Sequence, residues 1–253
     1  MLDEFLSVNI WFFMLVFLRL GAAFMVVPGF GEAFIPPRIR LAIALAVSFL
    51  VLPFVAPELP PEPATPVGLL MLLLGETLVG LVMGGVLRLL LSALHVAGSI
   101  IAQQSGLAAA QFFDPAQMTQ GAITSTFMTL MGLTLIFVTD MHHLFIEGTF
   151  ATYRVFPVGQ APDFGSISQL VADFVQQSFL LGFQISAPFL VFGITFYMGI
   201  GLLNRLMPQV QIFFVAIPLQ IILSFAILAI TIGAAMMWFI SYYEQALYRF
   251  LGE

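Results

Sequence analysis

Six apolar runs punctuate the chain, at roughly 6–27, 39–56, 67–102, 121–147, 174–203 and 209–250. Each reaches or nears the ~20 residues a helix needs to cross a bilayer. They are built of Leu, Phe, Ile, Val and Ala with scattered Gly, which suits helices. Outer-membrane strands would be about 10 residues long with period-two alternation, and that pattern is not found. The breaks are chemically clear. Pro28 to Pro37 makes a Gly/Pro-rich turn and PELPPEPATP at 57–66 a stiff acidic one, while 106–120 is a polar and aromatic linker and 154–168 the last large loop. The pattern predicts an all-α, membrane-associated protein.

Two runs are too long for simple spans. Residues 67–102 would make a helix of about 54 Å and 209–250 one of roughly 63 Å at ~1.5 Å per residue. A hydrocarbon core is ~30 Å thick and usual tilts are about 20°. Either these helices break, near Gly84-Gly85 and Pro218, or they continue packed against protein beyond the bilayer. Arginine counting gives an orientation for a six-span reading. Arg38, Arg40 and Arg205 fall on one side, with Glu58, Glu62, Glu147 and Asp163 on the other beside Arg154. Both termini then lie outside.

Composition sharpens the class. Only 8% of the 253 residues are charged, 13 acids and 7 arginines with no lysine, and 61% are hydrophobic. A soluble domain carries about 25% charge. The mean hydropathy of +1.09 excludes an ordinary soluble enzyme, a disordered chain and a nucleic-acid binder, which needs a basic face. Without cysteine there is no disulfide, thiolate metal site or cysteine nucleophile. Asp3, Glu4 and Arg19 make the N-terminus read as a retained first helix rather than a secretory signal.

Ionisable side chains inside apolar runs need a partner or a wet cavity. Arg19, Glu76, Arg88 and His95 are the conspicuous ones. Glu76 and Arg88 are twelve residues apart, too far to pair on one helix, so each must meet another element. An inter-helix or inter-subunit salt bridge is the plain reading, and a conduit lining the functional one. Asp140, His142, His143 and Glu147 suggest a metal or proton relay, with His143 and Glu147 sharing a helix face. The H-E-x-x-H spacing is absent, and two imidazoles with one carboxylate make a poor zinc set, so a span-end cap meeting water is expected. No G-x-S-x-G elbow is present, and a Walker-type loop is impossible without lysine. No catalytic residue, cofactor or metal is therefore expected.

The linker from Gly106 to Gly121, GLAAAQFFDPAQMTQG, mixes small residues, glutamines and the Phe112-Phe113-Asp114-Pro115 knot. Pro115 holds Asp114 to an extended or turn geometry. Non-helical backbone at membrane depth survives only inside protein or against a water-filled cavity. The residues alone leave two readings, an ordinary aqueous loop and a loop packed in a channel.

Three stretches together resemble the flagellar biosynthetic protein FliR and its injectisome counterpart in type III secretion. They are IPPRIRLAIAL at 35–45, AGSIIAQQSGLAAAQFFDP at 97–115 and GLLNRLMPQVQIFFVAIPLQI at 201–221. In the last, Asn204-Arg205, Pro208-Gln209, Phe213 and Pro218-Leu219 fall in the family order. One position departs: Met141 stands where the family usually has Gly before the His.

The resemblance implies a non-enzymatic export-gate subunit of the bacterial inner membrane and flagellar basal body. Such a chain joins FliP-like and FliQ-like subunits, with FlhB-like and FlhA-like export components, around a path for unfolded proteins. It implies a FliP-like part over about 1–170 and a FliQ-like helical pair over about 171–253. The overlength helices would then form hairpins facing other subunits, so the six-span topology gives way. Gly106, Leu107, Phe112, Phe113, Asp114 and Pro115 would belong to a plug loop at 106–120 that closes the pore. Arg38, Arg40, Glu76, Arg88, Arg205, Pro208 and Gln209 would lie at subunit interfaces or the entrance. An injectisome subunit is the near alternative. A small-molecule secondary transporter with Glu76, Arg88 and His142 as relay is the alternative from another class, and an intramembrane hydrolase is disfavoured by the missing motifs.

Overall fold

The computed structural model describes residues 2–107, 123–159, 163–207 and 212–251. Among these residues the regular structure is helical throughout. The helices are α1 (Leu2–Val26), α2 (Pro37–Val55), α3 (Pro66–Gln104), α4 (Ile123–Val138), α5 (Met141–Val155), α6 (Phe164–Leu206) and α7 (Ile212–Leu251), with one 3₁₀ turn at Ala56–Glu58. The long runs do not break. α3 passes uninterrupted through Gly84-Gly85, and α6 and α7 pass through Pro188 and Pro218. Their 39, 43 and 40 residues correspond to about 58, 64 and 60 Å. The break falls elsewhere. Asp140 takes a left-handed backbone, φ 58°, and α4 meets α5 at 76°.

Among the described residues, four helices are long and apolar enough to cross a membrane, or five if α4 and α5 form one broken span. The helices partition into two compact units, each discontinuous in sequence. The first comprises 1–89, 136–175 and 243–253, the second 90–135 and 176–242.

In the first unit, α1 buries Leu15, Val16, Leu20, Ala23, Phe24 and the following Val27. This is one stripe at helical spacing, and Arg19 sits in its middle. α3 presents a matching stripe of Glu76, Val79, Gly80, Met83, Gly84 and Leu87. Gly80 and Gly84, four apart, bring the backbones together: a Cβ at Gly80 would fall on the Arg19 carbonyl, and one at Gly84 would lie 2.6 Å from the Ala23 oxygen. Small residues spaced this way are how apolar helices approach closely when lipid is as apolar as they are. α2 starts with Pro37 in its first turn, where a missing N–H costs nothing, and packs on α1. The Pro-rich turn closes back on α1 through the Trp11 indole N–H, which donates to the Pro60 carbonyl at 3.1 Å. α5 buries Met141, Phe145, Gly148, Thr149 and Thr152 along one face.

α6 begins at a cap that lies outside its spanning part. Asp163 Oδ1 accepts from the Gly165 N–H at 3.0 Å, and Oδ2 from the Ser166 N–H at 3.3 Å and the Ser166 hydroxyl at 2.6 Å. The Ser166 hydroxyl first, then the two backbone N–H groups, hold the carboxyl below the usual carboxylate range. Its contribution is present above the unfolded carboxyl pKa of about 3.9 and is lost as the pH falls through the lower folded value. Amide exchange over the first turn of α6, corrected for intrinsic rate, is therefore expected to accelerate in acid. Asp163→Ala should show the fast exchange already at pH 6; unchanged protection in that variant would remove the cap from the account.

In the second unit α3 contributes Leu90, Leu91, Leu94, Ala97 and Ile101, again one helical stripe. Gly98 lies against the Ser125 backbone of α4, and the Ser99 and Ser125 hydroxyls meet at 2.9 Å. Gly182 brings α6 against the Ala93 carbonyl. Phe189 of α6 and Phe239 of α7 complete this core.

Candidate functional site

Among the described residues, each unit holds a buried polar constellation built around a side chain that reaches across helices. In the first, Arg19 and Glu76 are 1% and 3% exposed. Arg19 Nε donates to Glu76 Oε2 at 2.7 Å and Nη2 to Oε1 at 3.0 Å, a two-pronged pair. Nη2 also donates to the Phe156 carbonyl at 3.0 Å, and the Tyr153 ring covers the guanidinium at 4.1 Å. The helical stripes of α1 and α3 force both charges inward, and the small residues beside them allow the approach. Three elements of the unit, α1, α3 and the end of α5, meet at this arginine. The arrangement neutralises two charges in an apolar interior and ties α1 to α3 and to the end of α5.

In the second unit the polar constellation surrounds the point where α3 ends. Gln220, 3% exposed on α7, donates from Nε2 to the Gln104 carbonyl at 2.7 Å and to the Tyr197 hydroxyl oxygen of α6 at 3.2 Å. Gln104 is the last residue of α3, so this amide satisfies a carbonyl that the helix end would leave unpaired. Gly106 follows in a left-handed conformation, φ 76°, and a Cβ there would stand 3.3 Å from Gln220 Oε1. Only glycine meets both conditions easily. The foot of the 106–120 linker is thereby seated by α6 and α7.

The other sequence-predicted residues fall as follows. Leu107 is half-buried beside Gly106; Phe112, Phe113, Asp114, Pro115, Pro208 and Gln209 lie outside the described residues. Arg38 and Arg205 are exposed, and Arg40 is half-buried with its guanidinium donating to the Glu32 carbonyl. Arg88 Nη1 donates to the Val26 carbonyl at 3.2 Å and stands 3.8 Å from the Glu32 carboxylate, with its side chain 47% exposed. Glu76 is held by Arg19, Arg88 by Val26 and Glu32, and His142 lies against Phe137 and His143. The three members of the alternative relay thus have three different sets of neighbours. Sequence reasoning passed over Gln220, Tyr197 and the Gly80-x-x-x-Gly84 spacing. The last was readable as a helix-approach motif, and Gln220 as a lone amide inside an apolar helix.

Helices of up to 43 residues, with a buried ion pair inside and large apolar side chains exposed outside, describe a helical membrane protein. The chain belongs to the bacterial export proteins, family 1, which matches residues 10–246. It is 42% identical over 231 residues to the flagellar biosynthetic protein FliR of Caulobacter vibrioides, covering 91% of this chain and 92% of the relative. The Aquifex aeolicus FliR is 34% identical over 87% of this chain and 84% of its own length. The Bacillus subtilis FliR is 30% identical over 86% and 85%.

Proposed function

We propose that the chain is a structural and gating subunit of the flagellar type III protein export gate. With FliP-like and FliQ-like subunits it forms the conduit for unfolded flagellar proteins across the inner membrane at the basal body, served by FlhB-like and FlhA-like components. The match to flagellar relatives over nearly the whole chain carries this reading. The exposed apolar stripe of α6, Val191, Ile194, Met198 and Leu202, is 63–66% exposed and supplies surface for neighbouring subunits and lipid. α6 and α7 would be the FliQ-like pair and the preceding elements the FliP-like part. The linker at 106–120 would be the plug, its foot fixed at Gly106 by Gln220.

Aromatic rings exclude water from a narrow gap, and the small residues Ala108, Ala109 and Ala110 let a loop fold aside without clashes. Shortening 108–114 in a complex that still co-purifies with its FliP-like and FliQ-like partners is expected to make cells or proteoliposomes leak ions and small solutes. A complex that assembles and stays tight would count against the plug, and a chain that is stably monomeric in detergent against the gate itself.

A further inference from the structure

The bend between α4 and α5 gathers three metal-ligand side chains that neither the buried ion pair nor the loop seat uses. Asp140 stands at the N-cap position of α5, where a side-chain bond to the helix N–H groups would be ordinary. It makes no such bond. Its left-handed backbone, φ 58° and ψ 18°, goes with a carboxylate 3.8 Å from His143 Nδ1. The His142 ring stacks on Phe137 at 5.2 Å and leans on the His143 ring at 4.1 Å. His142 Nδ1 is buried and has no hydrogen-bond partner among the described residues. One ligand atom from each of Asp140, His142 and His143 lies within 4.8 Å of the others. Asp140 and His143 do face water, as the sequence reading expects, but the carboxylate caps no helix N–H, and among the described residues one imidazole nitrogen of His142 has no hydrogen-bond partner.

We propose that Asp140, His142 and His143 form a site for a borderline divalent transition metal, with Zn²⁺ as the reference ion. Two imidazoles and one carboxylate are too few to close a structural zinc site, but with one position left open they suit zinc, cobalt, nickel or copper rather than magnesium or calcium, which prefer all-oxygen sets. Zn–N and Zn–O bonds of about 2.0–2.2 Å place tetrahedral ligand atoms roughly 3.3 Å apart, and the exposed Asp140 and His143 side chains, 75% and 65% open, are the ones that would turn to close the set. Three protein ligands leave a fourth position open to water or to a donor from another chain. All three come from four consecutive residues at a 76° helix break, so the ion would fix that bend. Met141, where the resemblance leads one to expect Gly, is buried at the first position of α5.

The inference does not rest on the export-gate reading, and its test uses the full chain in detergent, purified without a polyhistidine tag. Equilibrium dialysis against Zn²⁺ is expected to find one equivalent per chain. Asp140→Ala and His143→Ala should each weaken binding tenfold or more, since even loss of an outer-shell partner costs that much. The His142→Ala/His143→Ala double variant should abolish it. His95→Ala, at an exposed histidine on α3, should leave it unchanged. Co²⁺ should give a d–d absorption band in the wild type that the double variant lacks while keeping the wild-type helical circular-dichroism signal. A wild type that retains no Zn²⁺, or a double variant that binds as the wild type does, would overturn the site.

Discussion

Arg19→Met is expected to destabilise the chain by about 3–5 kcal/mol, because it leaves the Glu76 carboxylate buried without its counter-charge. Glu76→Gln should be milder, since a neutral amide still accepts one guanidinium hydrogen bond while the arginine keeps the Phe156 carbonyl and the Tyr153 face. The Arg19→Met/Glu76→Met double variant should be less damaging than the sum of its parts. Two apolar side chains of similar length replace a pair whose attraction is offset by the cost of removing both charges from water. Thermal unfolding in detergent, followed by helical signal and by retention in solution, measures all three. A double variant as unstable as the sum of the singles would show that the pair contributes nothing as a pair. Loss of function that tracks this instability would be structural in origin, whereas loss in a stable double variant would mean the charges themselves act in export.

Gly80→Val is expected to be the most damaging of the helix-packing substitutions, costing about 3 kcal/mol, the upper end of what overpacking does. The obstacle is the Arg19 carbonyl, a backbone atom that cannot rotate away. The same change would push α3 off α1 and stretch the Arg19–Glu76 pair one turn below. Gly85→Ala is the matched control on the neighbouring position, where a Cβ meets nothing within 4 Å. There alanine should be neutral or stabilising by about 0.5–1 kcal/mol, because glycine in a helix interior is the poorer helix former. Equal unfolding temperatures for the two variants would contradict the close approach of the two helices.

Much of the architecture was legible along the chain. The six apolar runs correspond to α1, α2, α3, the α4–α5 pair, α6 and α7, with ends displaced by a few residues. The choice between broken and continuous long helices was not legible. Gly84-Gly85 costs a helix only a kilocalorie or two by propensity, far less than backbone groups left unpaired in an apolar surrounding, and the helices run through. The interruption came instead at Thr139-Asp140, inside a run that hydropathy reads as one span. A residue such as Asp tolerates the left-handed conformation better than most, but nothing local says that it must adopt it.

The polar sites divide the same way. That Arg19 and Glu76 needed partners followed from their setting in apolar helices; that they are each other's partner, 57 residues apart, did not. The seat at the end of α3 joins Gln104 to Gln220 across 116 residues. The three-residue cluster at 140–143 was visible as a sequence, yet only the side-chain directions at the bend distinguish a cap from a ligand set.

What the sequence determined by itself was therefore everything that depends on local composition. The apolar runs must be helices because no other open structure satisfies its backbone away from water, the Pro- and Gly-rich segments must separate them, and the motifs at 35–45, 97–115 and 201–221 assign the chain to its export family. The tertiary structure alone decided which face of each helix meets another, which buried charge neutralises which, and where the span bends. Those outcomes depend on contacts between residues far apart in the chain, where a single missing Cβ at Gly80 or a single amide at Gln220 sets the distance between helices.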